Sequence, residues 1–202
     1  MVGYWGRPEE TAQALHGGLG NGAQFETNSG FDGLATSNTF LVAYPDGVGR
    51  AADGSGGART WNGGDCCGPA ASRKVDDVAF LTLLVADVAK AYAVDPNRVY
   101  AAGHSNGGIM ALRLACEASD VFAAVGVQSS ALEIATCDPR EPVSLMQIHG
   151  TADTIVPLHI HSDPLSQRLP DATLTVIDGA GHMPHHAHAD LVIAAIDRAA
   201  LR

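Results

Sequence analysis

The residues best suited to chemistry are a serine, an aspartate and a histidine, each in a short segment that contains glycine. Ser105 is the central residue of Gly103-His104-Ser105-Asn106-Gly107, which fits the pattern G-x-S-x-G. An apolar run over residues 98–102 leads into this segment and a helical pattern begins after it, as expected of a sharp strand-to-helix turn that exposes a serine. A serine hydroxyl is a poor nucleophile until a base takes its proton, so the pattern predicts a histidine and an acid elsewhere in the chain.

The base and the acid are predicted in two later segments, each directly after an apolar run. Asp153 ends the segment His149-Gly150-Thr151-Ala152-Asp153, and His182 follows Gly179-Ala180-Gly181. In α/β proteins the loops at the carboxyl ends of the strands assemble the site. We therefore predict that Ser105 is a nucleophile, that His182 is its general base and that Asp153 orients the histidine.

Other aspartates and histidines compete for these roles. Asp163 precedes a proline and Asp178 precedes a glycine, positions that favour a helix cap or a turn. A histidine run after His182 is predicted to be solvated: His185, His186 and His188. These histidines could bind a metal ion through nitrogen, but no carboxylate or cysteine lies at a matching spacing, so we predict no metal site.

An oxyanion hole would stabilise the negative charge that acyl transfer places on a carbonyl oxygen. One donor is predicted to be the backbone N–H of Asn106, directly after the serine. The second is predicted in Leu15-His16-Gly17-Gly18, with Gly18 favoured over Gly17, because small residues let the backbone approach a substrate. A plain glycine turn is the alternative, since the preceding residues 11–14 are polar for a central strand.

The elements that must position these residues are short apolar strands alternating with helices. Predicted strands cover Phe40–Ala43, Val99–Ala102, Ala123–Val127, Val143–Ile148 and Leu174–Ile177. Predicted helices cover Val75–Tyr92, Ile109–Cys116 and Ala189–Leu201. This alternation predicts one domain over residues 1–202, an α/β fold with a mostly parallel, doubly wound sheet.

The segment 46–69 is predicted to be a long loop at the site, since eight of its 24 residues are glycine. Trp61 in this loop is a candidate to stack on an aromatic acyl group, or alternatively belongs to a small core under the loop. Gly17 and His104 are the other candidates for substrate contact. The segment 157–170 is too short to form a lid, so we expect an open cleft suited to bulky or polymeric esters.

Composition limits the partners. The chain has 202 residues, of which 46% are hydrophobic and 17% charged, with a net charge of −10 and no basic cluster. A phosphate backbone would be repelled on balance, so we expect no nucleic-acid partner. No apolar run approaches the roughly 20 residues that span a bilayer, and the first ten residues have no signal-peptide pattern.

The four cysteines have no zinc-like spacing and are predicted to form disulfides. Adjacent cysteines seldom bond to each other, which leaves Cys66 with Cys116 and Cys67 with Cys137, or the reverse. Two disulfides imply an oxidising compartment, so we expect a secreted or extracytoplasmic protein. Four buried thiols in a cytoplasmic protein are the alternative.

Several segments in one order resemble the secreted esterases related to polyhydroxybutyrate depolymerases and bacterial feruloyl esterases. They are Leu15-His16-Gly17-Gly18, Tyr44-Pro45-Asp46-Gly47, Thr60-Trp61-Asn62 with Cys66-Cys67-Gly68, Val75-Asp76-Asp77-Val78, Gly103-His104-Ser105-Asn106-Gly107-Gly108 and His149-Gly150-Thr151-Ala152-Asp153. The resemblance implies an α/β-hydrolase fold and hydrolysis, without a cofactor, of an aromatic-acid ester or a polyester. It assigns the triad to Ser105, Asp153 and His182, and the oxyanion hole to Gly18 and Asn106.

The sequence departs from this family in two places. Family members carry one or two strands before the Leu-His-Gly segment, whereas only about ten irregular residues are expected here, so the sheet lacks its first edge or the chain is truncated. Gly181-His182-Met183-Pro184 resembles general α/β hydrolases more than the depolymerases. The alternatives are a thioesterase or peptidase with the same triad, and a catalytically silent binding domain.

Overall fold

The computed structural model describes residues 9–162 and 172–187, in which short apolar segments form a parallel sheet. Its strands are β1 (Glu9–Leu15), β2 (Leu41–Ala43), β3 (Val94–His104), β4 (Ala124–Gln128), β5 (Ser144–Gly150) and β6 (Ala172–Ile177). The sheet order is β2-β1-β3-β4-β5-β6, and every neighbouring pair is parallel. The predicted fold class and all five predicted strands are confirmed. That residues 1–202 form one domain stays a prediction.

The strand β1 corrects the expectation of irregular residues before the Leu-His-Gly segment. It lies between β2 and β3, and its polar side chains Thr11 and Gln13 are buried. Nε2 of Gln13 donates to the carbonyl of Leu81 at 2.8 Å, and this bond replaces the one to water that the amide nitrogen loses on burial. A polar pattern is therefore compatible with a central strand here.

The helices cover both predicted and unpredicted segments. They are α1 (Gly22–Ser29), α2 (Phe31–Asn38), α3 (Gly68–Ser72), α4 (Asp77–Ala91), α5 (Asn106–Glu117) and α6 (Pro184–Ala187). The predicted helices 75–92 and 109–116 are confirmed as α4 and α5, while α1 and α2 were not predicted. Tyr92 does not share the buried face of α4, because it lies just after the helix and is exposed. The predicted helix 189–201 lies outside the described residues.

The core lies where α5 packs against β1, β3 and β4. Its largest buried apolar side chains are Leu15, Trp61, Leu81, Met110, Leu114 and Phe122. None of the helices in the described part of the chain is both long enough and apolar enough to cross a membrane. The packing brings the loops after β1, β3, β5 and β6 to the carboxyl edge of the sheet, where the predicted site residues lie.

The disulfide pairing differs from both predicted alternatives. Cys116 in the last turn of α5 bonds to Cys137, which is 21 residues further along the chain, and Cys66 bonds to its neighbour Cys67. The loop that follows β4 returns past the end of α5, which places Cys137 beside Cys116 at one small cavity. The prediction was wrong because it excluded a bond between neighbours.

Candidate active site

Ser105 occupies the sharp turn between β3 and α5 that the sequence pattern predicts. Its φ of 52° and ψ of −121° are unusual for a residue with a side chain. A Cβ atom on Gly103 would overlap the backbone of Gly107, and one on Gly107 would overlap the carbonyl of Leu15. The backbone N–H of Ser105 donates to the carbonyl of Gln128 on β4 at 2.9 Å, which holds the turn against the sheet.

Asp153, His182 and Ser105 are connected by two successive hydrogen bonds. Nε2 of His182 lies 2.9 Å from Oγ of Ser105, and Nδ1 of His182 lies 2.9 Å from Oδ2 of Asp153. An ionised carboxylate can only accept, so Nδ1 carries the proton and Nε2 presents its lone pair to the serine hydroxyl. The carboxylate has no exposed surface, and the histidine side chain is 14% exposed.

The environment of Asp153 keeps it ionised. Its Oδ1 accepts the backbone N–H groups of Ile155 and Val156, both at 2.9 Å. Burial acts to raise the pKa of Asp153, but the Val156 amide, the His182 hydrogen bond and the charge of His182 outweigh it. The pKa therefore lies below its ordinary value. A carboxylate that stays charged can stabilise a protonated His182 during a reaction.

The glycines proposed for the oxyanion hole lie directly beside the serine. A Cβ atom on Gly17 would lie 3.7 Å from Cβ of Ser105, and one on Gly18 would lie 3.5 Å from Cβ of Asn106. Asn106 is the first residue of α5, where a backbone N–H has no partner inside the helix. The glycine loop and the first turn of α5 are thus close to the serine, which is the arrangement that the predicted oxyanion hole needs.

The ring of His16 fixes the conformation of the glycine loop. Nδ1 donates to the carbonyl of Gly17 at 2.8 Å, and Nε2 accepts the N–H of Gly47 at 3.0 Å. Burial lowers the pKa of His16, which keeps the ring neutral and both bonds intact. A carbonyl and the next N–H point in opposite directions in a trans peptide. Holding the Gly17 carbonyl at His16 therefore also fixes the direction of the Gly18 N–H.

The chain matches the family described as esterase PHB depolymerase over residues 10–195. It belongs to that family. Feruloyl esterase B of Piromyces equi is 34% identical over 145 residues, which are 68% of this chain and 25% of that protein. The putative esterase NocK of Nocardia uniformis subsp. tsuyamanensis is 34% identical over 154 residues, which are 75% of this chain and 42% of that protein. The chain thus spans less than half the length of these relatives.

Solved structures share the fold of this PHB depolymerase family member. The acetyl xylan esterase from Aspergillus awamori aligns with a TM-score of 0.69 at 15% identity, covering 92% of this chain and 88% of that one. The esterase PE8 aligns with a TM-score of 0.65 at 20% identity, covering 95% and 92%. At these identities the likeness establishes the α/β-hydrolase fold alone.

One predicted substrate contact is corrected by the structure of this family member. Trp61 has no exposed surface, so it cannot stack on a substrate, and the alternative of a core under the loop is the right one. His104 is also buried, with Nδ1 accepting from Nε2 of Gln128 at 3.1 Å and its ring centroid 4.9 Å from that of His182. The ring also lines a cavity of about 330 Å³ together with Gln128 and His185, so its contact with a substrate stays a prediction.

Neighbouring candidates take structural roles. His185 was expected to be solvated, but it is half-buried and its Nδ1 lies 2.5 Å from Nε2 of Gln128. Asp178 accepts from Oγ1 of Thr151 in a turn, so the rival acid lies outside the triad. The other rival, Asp163, lies outside the described residues. The described residues contain no cluster of side chains that could hold a metal ion.

Sequence reasoning missed a buried polar network behind the acid. Nε2 of His149 donates to the carbonyl of Val156 at 2.6 Å and lies 3.3 Å from Oδ2 of Asp153. Its Nδ1 accepts from Oγ of Ser162 at 2.5 Å, and that hydroxyl accepts from the amide of Gln147 at 2.6 Å. His149 belongs to the motif that ends at Asp153, but its spacing alone carries no sign that the ring is buried.

Proposed function

We propose that this chain is a serine carboxylic-ester hydrolase that works through an acyl-enzyme. The observation that carries the proposal is the line of hydrogen bonds from Asp153 through His182 to Ser105, with both distances at 2.9 Å. Membership of the esterase PHB depolymerase family supports it. We assign Ser105 as the nucleophile, His182 as the general base and Asp153 as the acid that holds the histidine.

The reaction has two halves. Oγ of Ser105 attacks the ester carbonyl carbon while Nε2 of His182 takes the hydroxyl proton, and the carbonyl oxygen becomes an oxyanion. Return of that oxygen to a carbonyl breaks the bond to the alcohol, which leaves with the proton from His182. Water then attacks the acyl-enzyme, His182 removes its proton, and collapse releases the carboxylic acid and restores Ser105.

The oxyanion is stabilised by the backbone N–H groups of Gly18 and Asn106. Each such donor typically lowers the barrier by about 3 kcal/mol when it is aimed at the developing charge. Both donors come from backbone that neighbouring side chains hold in place, so little reorganisation is needed during the reaction. The same argument favours Gly18 over Gly17, since the ring of His16 fixes the peptide that contains the Gly18 N–H.

The substrate class that we propose is an aromatic-acid ester or a polyester. Three large apolar side chains are exposed next to the catalytic loops: Leu19, Ile155 and Met183 are 64%, 69% and 50% exposed. Leu19 and Met183 directly follow Gly18 and His182 in the chain, and Ile155 lies two residues after Asp153, so we infer that these side chains border the entrance to the site. The names of the relatives, which include a poly(3-hydroxybutyrate) depolymerase of Ralstonia pickettii, favour the same class.

We also propose an extracytoplasmic location, which the two disulfides support. The net charge of −10 disfavours nucleic acid as a partner. The proposal needs no cofactor, because the triad and backbone donors supply every group that the reaction uses.

The decisive experiment compares the wild type with Ser105→Ala on p-nitrophenyl esters of increasing acyl length. Ser72→Ala is the matched control, because Ser72 is an exposed serine on α3. We expect activity to be lost in Ser105→Ala and kept in Ser72→Ala, and a fluorophosphonate probe to label only proteins that keep Ser105. Turnover that survives Ser105→Ala would contradict the assignment of the nucleophile. A wild type that is inactive and unlabelled would instead favour a silent binding domain.

Substrate choice is tested separately. Methyl ferulate and particulate polyhydroxybutyrate distinguish the two proposed classes, and matched ester, thioester and amide substrates distinguish an esterase from a thioesterase or peptidase with the same triad. Faster hydrolysis of the thioester or the amide than of the ester would move the assignment to those classes.

A further inference from the structure

The two halves of the oxyanion hole are joined through one buried tryptophan. The backbone N–H of Trp61 donates to Oδ1 of Asn106 at 2.7 Å, and Nδ2 of Asn106 donates back to the carbonyl of Trp61 at 3.0 Å. A reciprocal pair fixes both the position and the plane of the asparagine side chain. Asn106 carries one of the proposed N–H donors, so this clamp holds the first turn of α5 against the loop that contains Trp61.

The indole of Trp61 reaches the other half. Its Nε1–H donates to the carbonyl of His16 at 3.0 Å, and its ring centroid lies 5.0 Å from that of His16. The His16 side chain in turn holds the carbonyl of Gly17. The indole therefore fixes the peptide between His16 and Gly17, and the imidazole fixes the next peptide, which contains the Gly18 N–H.

The loop that carries Trp61 is itself anchored on two helices. The N–H of Asn62 donates to Oδ2 of Asp77 at 2.7 Å, and Nη1 of Arg113 donates to the carbonyl of Asn62 at 2.9 Å. Asp77 belongs to α4 and Arg113 to α5. The backbone next to Trp61 is thus held by hydrogen bonds to both helices.

We propose that Trp61 is a positioning residue that sets the distance between the Gly18 and Asn106 N–H donors. It does not contact the substrate, and it acts through His16 and Asn106. The inference rests on the proposed function, because it matters only if an oxyanion forms at Ser105. Both donors must lie near 3 Å from one oxygen atom, so displacement of either one weakens stabilisation of the oxyanion more than it weakens substrate binding.

The test removes the indole N–H without changing the size of the ring. The chain has two tryptophans, Trp5 and Trp61, so in a Trp5→Phe background the analogue 3-benzothienylalanine replaces Trp61 alone. We expect kcat for an ester to fall by about 10- to 100-fold with KM within about twofold, since misplaced donors cost that much.

Comparison of an ester with the matched thiono ester distinguishes positioning of the donors from a general loss of stability. Sulfur accepts hydrogen bonds weakly, so the ratio of kcat for the ester to kcat for the matched thiono ester reports the oxyanion hole. We expect this ratio to fall in proportion to the loss on the ester. Phe122→Leu is the control: it disturbs another fully buried aromatic residue, and we expect it to lower thermal stability and leave the ratio unchanged.

A second variant tests the other side of the clamp. Asn106→Ala keeps the backbone donor and loses both bonds to Trp61, so we expect the same fall in the ratio. A folded analogue protein or Asn106→Ala protein whose ratio equals that of the wild type would overturn the inference. Activity that survives Ser105→Ala would instead overturn the proposed function, so the two failures are distinguishable.

Discussion

Replacing Asp153 with asparagine keeps the size of the side chain and removes its charge. The carboxylate has two unlike sides, because Oδ1 accepts two backbone N–H groups and Oδ2 accepts from Nδ1 of His182. The amide oxygen of an asparagine would keep the backbone donors, since the opposite orientation leaves the buried Val156 N–H unpaired, at about 1–3 kcal/mol, and the Ile155 N–H without its partner. Its NH₂ group would therefore face His182.

The NH₂ group can only donate, so His182 would have to present a lone pair at Nδ1 and carry its proton on Nε2. That proton would point at Ser105, and the base would be lost. We expect kcat to fall by about 10⁴-fold, as in other triads with the wrong tautomer, which corresponds to about 5 kcal/mol of transition-state stabilisation.

The assay is steady-state hydrolysis of p-nitrophenyl acetate together with thermal unfolding of each variant. Asp178→Asn is the matched control, because Asp178 is exposed and accepts from Oγ1 of Thr151 in a turn outside the triad. We expect Asp178→Asn to keep wild-type turnover. A kcat for Asp153→Asn within about tenfold of the wild type, at unchanged folding, would refute the assignment of the acid.

Three further predictions concern stability. Burial raises the pKa of Asp77 from 3.8 to about 6. Between these two pKa values the folded protein holds a proton that the unfolded chain has lost. Relative to Asp77→Asn, the free energy of unfolding of the wild type should therefore fall by up to about 3 kcal/mol between about pH 4 and about pH 7, measured by urea unfolding. A difference between the two proteins that stays constant with pH would contradict this. Replacing Cys116 and Cys137 with serine should cost about 3 kcal/mol, given a separation of 21 residues, and an unchanged urea midpoint would count against it. His149→Phe leaves two buried partners unpaired, so we expect a loss of about 2–4 kcal/mol and a lower kcat; wild-type stability would show that the network contributes little.

The sequence by itself predicted five of the six described strands and the type and order of the proposed catalytic residues. Apolar runs that end in glycine or polar residues form strands wherever both faces of a sheet are covered, and five such runs became β2 to β6. The candidates Ser105, Asp153 and His182 follow those strands directly. Because parallel strands place their carboxyl ends at one edge, the linear pattern was enough to predict that these side chains meet.

Tertiary structure decided what depends on burial and on contacts between distant segments. The burial of Trp61 follows from contacts with His16 and Asn106, which both lie 45 residues away in sequence. The pairing of Cys116 with Cys137 joins the end of α5 to the loop after β4. His149 has nearer partners, but its role depends on the burial of its ring. The polar strand β1 is similar, since the Gln13 amide nitrogen finds its hydrogen-bond partner in the Leu81 carbonyl of α4, 68 residues away. Local patterns report the preferences of a residue, whereas its hydrogen-bond partners and exposure are set by whichever elements the fold brings against it.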